Sequence, residues 1–336
     1  MQSCEAWYTA IVTRMYQLVH AFEPDNFDAE RYADVSPATY FYELHAAYFV
    51  FFTKRADAFF AARNLLADDE SRSLFDQLIL YKALGHQHVR LPFNTPESRG
   101  YRNVTAQWEI GNAADGLTRF AVPAEGGSIR MECWHGNVAA NVIWRQYWFE
   151  RDGHLIMPTT GDHAIDAGAC FGDTTLCFAS SVGDSGHVYA FDPIPKHCAI
   201  ARRNVSANPM LAERIRLFPF GLSDSNGTGD GRVRVDRIDP GARLEGDLPT
   251  RTIDDLDLPR VDFIKMDIEG SELAALKGGE QSLRRWKPKL AISLYHRPED
   301  FFAIPLWLDS LGLGYRFFLD HYSIHQEESV LYAKAS

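Results

Sequence analysis

From residue 161 onward the chain alternates short apolar runs with segments of helical periodicity, and several of the runs close on an aspartate. That alternation constrains the fold most, because strands separated by helices run parallel and join through crossovers, in a sheet covered on both faces. Seven runs qualify as strands: 164–166, 187–191, 215–220, 263–266, 290–295 and a C-terminal pair at 315–319 and 329–333. The predicted class is α/β, with a mostly parallel seven-stranded sheet. In open sheets of this kind ligands collect at the carboxyl ends of the strands, so the residues that follow each run carry the functional information.

The first run leads into AIDAGACFGDTT, residues 164–175. Gly168 and Gly172 allow close backbone approach, and a helix opening at Thr174 presents unpaired N–H groups. A dinucleotide fold needs GxGxxG in this turn. Here the turn is D-x-G-x-x-x-G with Asp166 at the strand end, and a carboxylate repels a pyrophosphate but attracts an ammonium or a sulfonium. S-adenosylmethionine carries both of those cations. The second run ends in HVYAFDP, which puts Asp192 where a carboxylate accepts from both ribose hydroxyls. After the third run, Ser223 and Asp224 in GLSD are placed to read an adenine edge, with a turn cap as the plain alternative for Asp224. The fourth run gives DFIKMDIEGSELAALKGG. Glu272 there suits a helix dipole, whereas Asp267 sits at the strand end that should face the cofactor's sulfur and the acceptor. His296 follows the fifth run in AISLYHRPEDF and brings an imidazole to the same edge of the sheet.

The 336 residues exceed one ordinary domain, so a core with an added region is expected. A formal net charge of -11 with no basic cluster argues against nucleic acid or an anionic membrane as partner. Five cysteines without a CxxC pair argue against a disulfide framework and are expected as reduced thiols. The first twenty residues lack a basic n-region and a small-residue cleavage site, and no apolar stretch reaches membrane-spanning length, so a cytoplasmic protein is expected.

Residues 1–110 are predicted to be mainly helical, from apolar spacing in 7–22 and 74–84 with Asp68, Asp69 and Ser71 as candidate caps. Their expected use is as a substrate cap or an oligomer contact, the latter in a homodimer. The aromatic stretch 40–52 is expected as a buried packing seam. Pro and Gly punctuate 111–160, a connecting segment of strands and turns with one short helix near 139–149. The domain expected to bind S-adenosylmethionine fills 161–336.

The motifs DAGACFGDTT, YAFDP, GLSD, TIDDL and KMDIEGSE, in that order, resemble the FkbM-type S-adenosylmethionine-dependent methyltransferases. The resemblance spans about 143–333 and includes LYHRPEDFFAIPLWL and YRFFLDHYSIHQEESVLYA. It implies a class I Rossmann-like methyltransferase domain and O-methylation of a hydroxyl on a sugar, glycan or specialised metabolite, as in natural product biosynthesis. By position it implies Asp166, Gly168, Ala169, Gly172 and Thr174 at the methionine end, Asp192 at the ribose, Ser223 and Asp224 near adenine, and Asp267 beside the reaction centre. The N-terminal helical region departs from the family's short members.

Methyl transfer from a sulfonium is an in-line displacement in which alignment does most of the work. An aliphatic hydroxyl still benefits from a base, and His296 is the first candidate. Asp267, Glu269 and His296 together offer the donors for a Mg2+ or Mn2+ ion holding a substrate diol. In the plainer alternative Glu269 bonds to backbone and Asp267 only orients the acceptor. Competing readings are N-methylation of an amine, a non-catalytic binding protein of the same fold and, disfavoured by the missing GxGxxG, an NAD-dependent enzyme.

Overall fold

The computed structural model describes residues 3–29, 42–124, 127–229 and 248–336. The chain divides into two compact units, one of residues 1–99 and 294–331 with Ser336, the other of 100–293 and 332–335.

The first unit contains the helices Cys4–Leu18, Tyr42–Lys54, Ala56–Leu65, Asp69–Leu84 and Asp300–Ser310. In Cys4–Leu18 the buried residues are Trp7, Ile11 and Met15, one stripe at intervals of four. Of the three candidate caps, Asp68 performs the capping: its carboxylate accepts from the Ser71 N–H at 2.6 Å. Phe59 is fully buried and gathers the rings of Phe51, Phe52, Phe75 and Phe302 around it at centroid distances of 5.1–6.2 Å. Tyr48 and Phe52 from the aromatic stretch are buried as expected, while Leu44, Phe49 and Val50 are exposed. Residues 40 and 41 of that stretch lie outside the described residues.

Seven strands form the main sheet: β1 (His163–Ala167), β2 (His187–Phe191), β3 (Ile215–Phe218), β4 (Phe263–Met266), β5 (Lys289–Ser293), β6 (Tyr315–His321) and β7 (Ser329–Ala335). Their order is β6-β7-β5-β4-β1-β2-β3. β4 pairs in parallel with β5 and β1, β1 with β2, and β2 with β3. The expected class and strand number hold. β6 and residues 329–331 belong to the first unit, and residues 332–335 to the second. Residues Ala164 to Ala167 of β1 and all of β4 are buried, as strands covered on both faces must be.

Ahead of the sheet, Glu109–Asn112, Thr118–Ala124 and Gly127–Cys133 make an antiparallel three-stranded sheet, and Phe149–Arg151 pairs with His154–Ile156. The helix expected near 139–149 is shorter and differently wound. His135–Val138 runs into a π-turn, Ala139–Ile143, and Arg145 then takes a left-handed φ of 52°, which stops the helix. The three-stranded antiparallel sheet is fastened to the helix Pro195–Ser206 and the turn after it: the Asn204 and Asn208 side-chain oxygens accept from the Glu132 and Arg130 N–H groups at 2.7 and 2.8 Å. Among the described residues, no helix is long and apolar enough to cross a membrane.

Candidate active site

The carboxyl ends of β1, β2 and β4 lie side by side, because β1 is flanked by β2 and β4 in parallel register. Three expected acids therefore sit at adjacent strand ends. They do not have equal access to a ligand.

Asp166 is 0% exposed. Its register partner on β4 is Lys265, whose Nζ lies 3.0 Å from Asp166 Oδ1, and Thr175 Oγ1 donates to Oδ2 at 2.6 Å. Lys265 Nζ also donates to the carbonyls of Ala167 and Gly168 at 3.0 and 2.8 Å. Burial works against this ammonium, but the charges of Asp166 and then Asp267 outweigh it and hold its pKa above the ordinary lysine value. The Asp166 carboxylate, expected at the methionine end, is held here in a buried ion pair at the start of the turn, and Lys265, which sequence reasoning passed over, is its counterion.

The glycines are also explained from inside the chain. Gly168 has φ 78°, and a Cβ there would stand 1.8 Å from the Asp267 carbonyl oxygen. Gly172 has φ 75°, and a Cβ would stand 3.2 Å from that of Ala201. Close approach of backbone to backbone is by itself enough to require Gly168. Several N–H groups of the turn are likewise used internally: Gly168 and Ala169 both donate to the Phe191 carbonyl, at 2.9 and 3.0 Å, and Gly172 donates to Ala169 at 2.7 Å.

Asp192 is 7% exposed and is the hub of the β2 end. Its Oδ1 accepts from the Ile194 N–H at 2.8 Å, and its Oδ2 from the Cys170 N–H at 2.9 Å with His197 Nδ1 at 3.3 Å. A carboxylate has about four acceptor positions, so one remains for a ligand hydroxyl rather than the two expected. At Cys170, burial first and then the charge of Asp192 push the thiol well above the usual value.

Asp267 is half-buried, with its N–H on the Ala167 carbonyl at 3.1 Å and its Oδ2 accepting from Tyr147 Oη at 3.0 Å. Glu269 is exposed, with φ 57°. Glu272 Oε1 accepts from the Ile268 N–H in this turn at 2.8 Å. Ser223 gives its own N–H to the Arg251 carbonyl at 3.0 Å, so that group is not available to an adenine edge. Asp224 is exposed and takes bonds from Ser223 and Ser225, the turn-cap alternative. His296 comes three residues after β5 in the first unit, its ring 4.1 Å from that of Tyr295.

Asp173 and Asn141 were missed as well. Asp173 is 2% exposed and opens the helix Asp173–Val182, its Oδ2 accepting from Asn141 Nδ2 at 2.7 Å, while Thr174 Oγ1 donates to Asn141 Oδ1 at 3.1 Å. Burial pushes the Asp173 pKa up to about 6. The native state thus holds this proton up to about pH 6, whereas an unfolded aspartate releases it near pH 4. Stability is therefore lost as pH rises through that window and stays lost above it. Asp173→Asn should be more stable than the parent by about 1–3 kcal/mol at pH 8, with the gain shrinking toward pH 4. Urea unfolding across that range checks it, and a gain independent of pH would refute the buried-acid account.

Lys265 had one legible signal, a cation inside the apolar run FIKM. Tyr147 and Asn141 had none, because their contacts lie 120 and 32 residues away.

The donor set fits a polyhydroxylated, cationic ligand better than a phosphate, since Asp192 and Asp267 are carboxylates at the ends of the two strands that flank β1. Residues 166–317 match the model of the methyltransferase FkbM domain. Among solved structures the chain is similar to a methyltransferase FkbM of Methylobacillus flagellatus KT, at 21% identity and a TM-score of 0.57, covering 84% of this chain. The match spans 60% of that protein's length, and at this identity the likeness shows the fold. Weaker likenesses are to the Aeropyrum pernix fibrillarin with natively bound S-adenosyl-L-methionine (15% identity, TM-score 0.35, covering 65% of this chain and 94% of that one) and to a SAM-dependent O-methyltransferase of Thermotoga maritima (13%, 0.36, 65% and 77%). No protein of curated function matches the chain in sequence.

Proposed function

We propose that this chain, whose residues 166–317 match the methyltransferase FkbM domain, is an S-adenosylmethionine-dependent methyltransferase that methylates a hydroxyl of a sugar, glycan or specialised metabolite. The observation that carries this reading is the pair of strand-end carboxylates, Asp192 with one acceptor position left and Asp267 held by Tyr147. Asp192 takes a ribose hydroxyl of the cofactor. Asp267, at the next strand but one, orients the acceptor. When bound, S-adenosylmethionine supplies an electrophilic methyl group on a sulfonium. The protein's task is to align the acceptor oxygen with that methyl and to receive the hydroxyl proton. His296, at the end of the fifth strand, is the proposed base. The acceptor is a diffusible small molecule or carbohydrate in the cytoplasm, not nucleic acid or membrane, and the N-terminal helices serve acceptor choice or pairing of two copies.

Calorimetry tests the cofactor half. Asp192→Ala should weaken S-adenosylmethionine binding by about 1–3 kcal/mol, the worth of a hydrogen bond to a charged group together with the loosened turn, and unchanged affinity would remove Asp192 from the site. A transfer screen with labelled cofactor against sugars, aminoglycosides and polyketide alcohols tests the acceptor half. Label on oxygen supports the proposal and label on nitrogen overturns it. A chelator arm, with Mg2+ or Mn2+ restored, reports on whether the reaction uses a divalent ion.

A further inference from the structure

One short segment outside the motif loops fastens both turns of the cofactor edge. Residues 134–147 begin with Trp134, whose ring meets Phe171 of the turn after β1 at 4.9 Å, edge to face. The π-turn Ala139–Ile143 follows, closed by the Trp144 N–H on the Ala139 carbonyl at 2.8 Å and the Gln146 N–H on the Ala140 carbonyl at 2.9 Å. Such a widened turn carries one more residue than an α-helical turn, costs stability, and recurs at functional sites. Here it carries Asn141, buried, which donates to Asp173 at 2.7 Å and accepts from Thr174 at 3.1 Å. A single amide thus satisfies two side chains at the opening of the helix that follows the turn after β1.

Four residues beyond the π-turn, Tyr147 reaches the other turn. Its hydroxyl donates to Asp267 at 3.0 Å and receives Gln146 Nε2 at 3.3 Å, and its ring covers Lys265 Nζ at 5.4 Å. The Gln146 carbonyl is itself bonded by Tyr332 from β7. The segment is therefore anchored independently of the two turns it holds.

We propose that residues 134–147 are a clamp of the methyl-donor site, in which Asn141 fixes the turn after β1 and Tyr147 fixes the turn after β4, so that cofactor affinity depends on two positioning residues outside the motifs. This rests on the reading that those turns hold S-adenosylmethionine. The clamp acts by preorganisation: the ordering of Asp267 and of the Asp173 helix start is completed on folding and does not have to be completed on binding. It also predicts reciprocity, because a ligand stabilised by the clamp must stabilise the clamp in return.

The test uses the full chain and S-adenosylhomocysteine, a stable probe, in titration calorimetry with hydrogen exchange read alongside. Asn141→Ala and Tyr147→Phe should each weaken binding about tenfold, the net worth of one or two hydrogen bonds. Tyr147→Phe keeps the ring over Lys265, so its unfolding midpoint should stay near that of the parent. In the parent, the probe should slow amide exchange in 139–147 as well as in the two turns, a response that a merely structural segment would not show. If Asn141→Ala fails to fold, Tyr147→Phe and the parent's exchange decide the matter. Parent-like affinity in the variants with no protection in 139–147, while Asp192→Ala weakens binding, overturns the clamp and leaves the donor site standing. A parent chain that does not bind the probe overturns the donor reading and the clamp with it.

Discussion

Lys265→Met is expected to cost about 3–5 kcal/mol of stability, a large share of the 5–15 kcal/mol that holds an ordinary domain. The Lys265 side chain is 3% exposed and the Asp166 side chain 0%. Removing the ammonium strands a carboxylate in the sheet with Thr175 as its one remaining bond among the described residues and strips a donor from the Ala167 and Gly168 carbonyls. An uncompensated buried charge is the reason for the size of the effect. A second substitution separates this account from plain loss of packing. Asp166→Leu in the Lys265→Met background removes the stranded charge, so the double variant should recover part of the loss. Urea unfolding followed by circular dichroism measures both. A loss below about 1 kcal/mol in the single variant, or a double variant worse than the sum of the singles, contradicts the pairing.

The sheet was legible because its strands are short apolar runs, buried on both faces, separated by helix-length segments. The three acids at the carboxyl ends of β1, β2 and β4 were legible by type and position. Their roles were not, because a role depends on partners supplied by the fold. Asp166 reads as a ligand carboxylate until parallel pairing of β4 with β1 sets Lys265 opposite it. Asp192 reads as open until the turn after β1 brings the Cys170 N–H to its carboxylate, 22 residues away. Glu269 and Glu272 are indistinguishable in DIEGSE, and only the left-handed turn at Glu269 and Gly270 decides that Glu272 reaches the Ile268 N–H. The helix start at Asp68 was within reach of capping rules because it is local. Asn141 and Tyr147 were out of reach because nothing near them in sequence marks the turns they hold.

Gly168→Ala is expected to be the more damaging of two glycine substitutions that sequence alone would rank together. Both Gly168 and Gly172 have left-handed φ values, 78° and 75°, so each loses about 1–2 kcal/mol to backbone strain when given a Cβ. Gly172→Ala adds a contact 3.2 Å from the Ala201 Cβ, which a shift of a few tenths of an ångström relieves, and the total should stay near the strain term. Gly168→Ala sets a methyl 1.8 Å from the Asp267 carbonyl oxygen, and neither side can yield cheaply. Gly168 is held by its N–H on the Phe191 carbonyl at 2.9 Å, and Asp267 by its N–H on the Ala167 carbonyl at 3.1 Å. Relief requires the ends of β1 and β4 to separate, with an overpacking cost of about 1–3 kcal/mol more. The Lys265 bond to the Gly168 carbonyl and the Tyr147 bond to Asp267 lie on the two sides of that separation. Gly168→Ala should therefore lose about 2–5 kcal/mol of stability and most of its affinity for S-adenosylhomocysteine, while Gly172→Ala keeps a measurable share of both. Thermal unfolding and calorimetry on the pair decide between two explanations of the first glycine. If Gly168→Ala unfolds like Gly172→Ala but alone loses the ligand, Gly168 is kept for close approach of the ligand, and the crossing of the two strand ends is not what demands it.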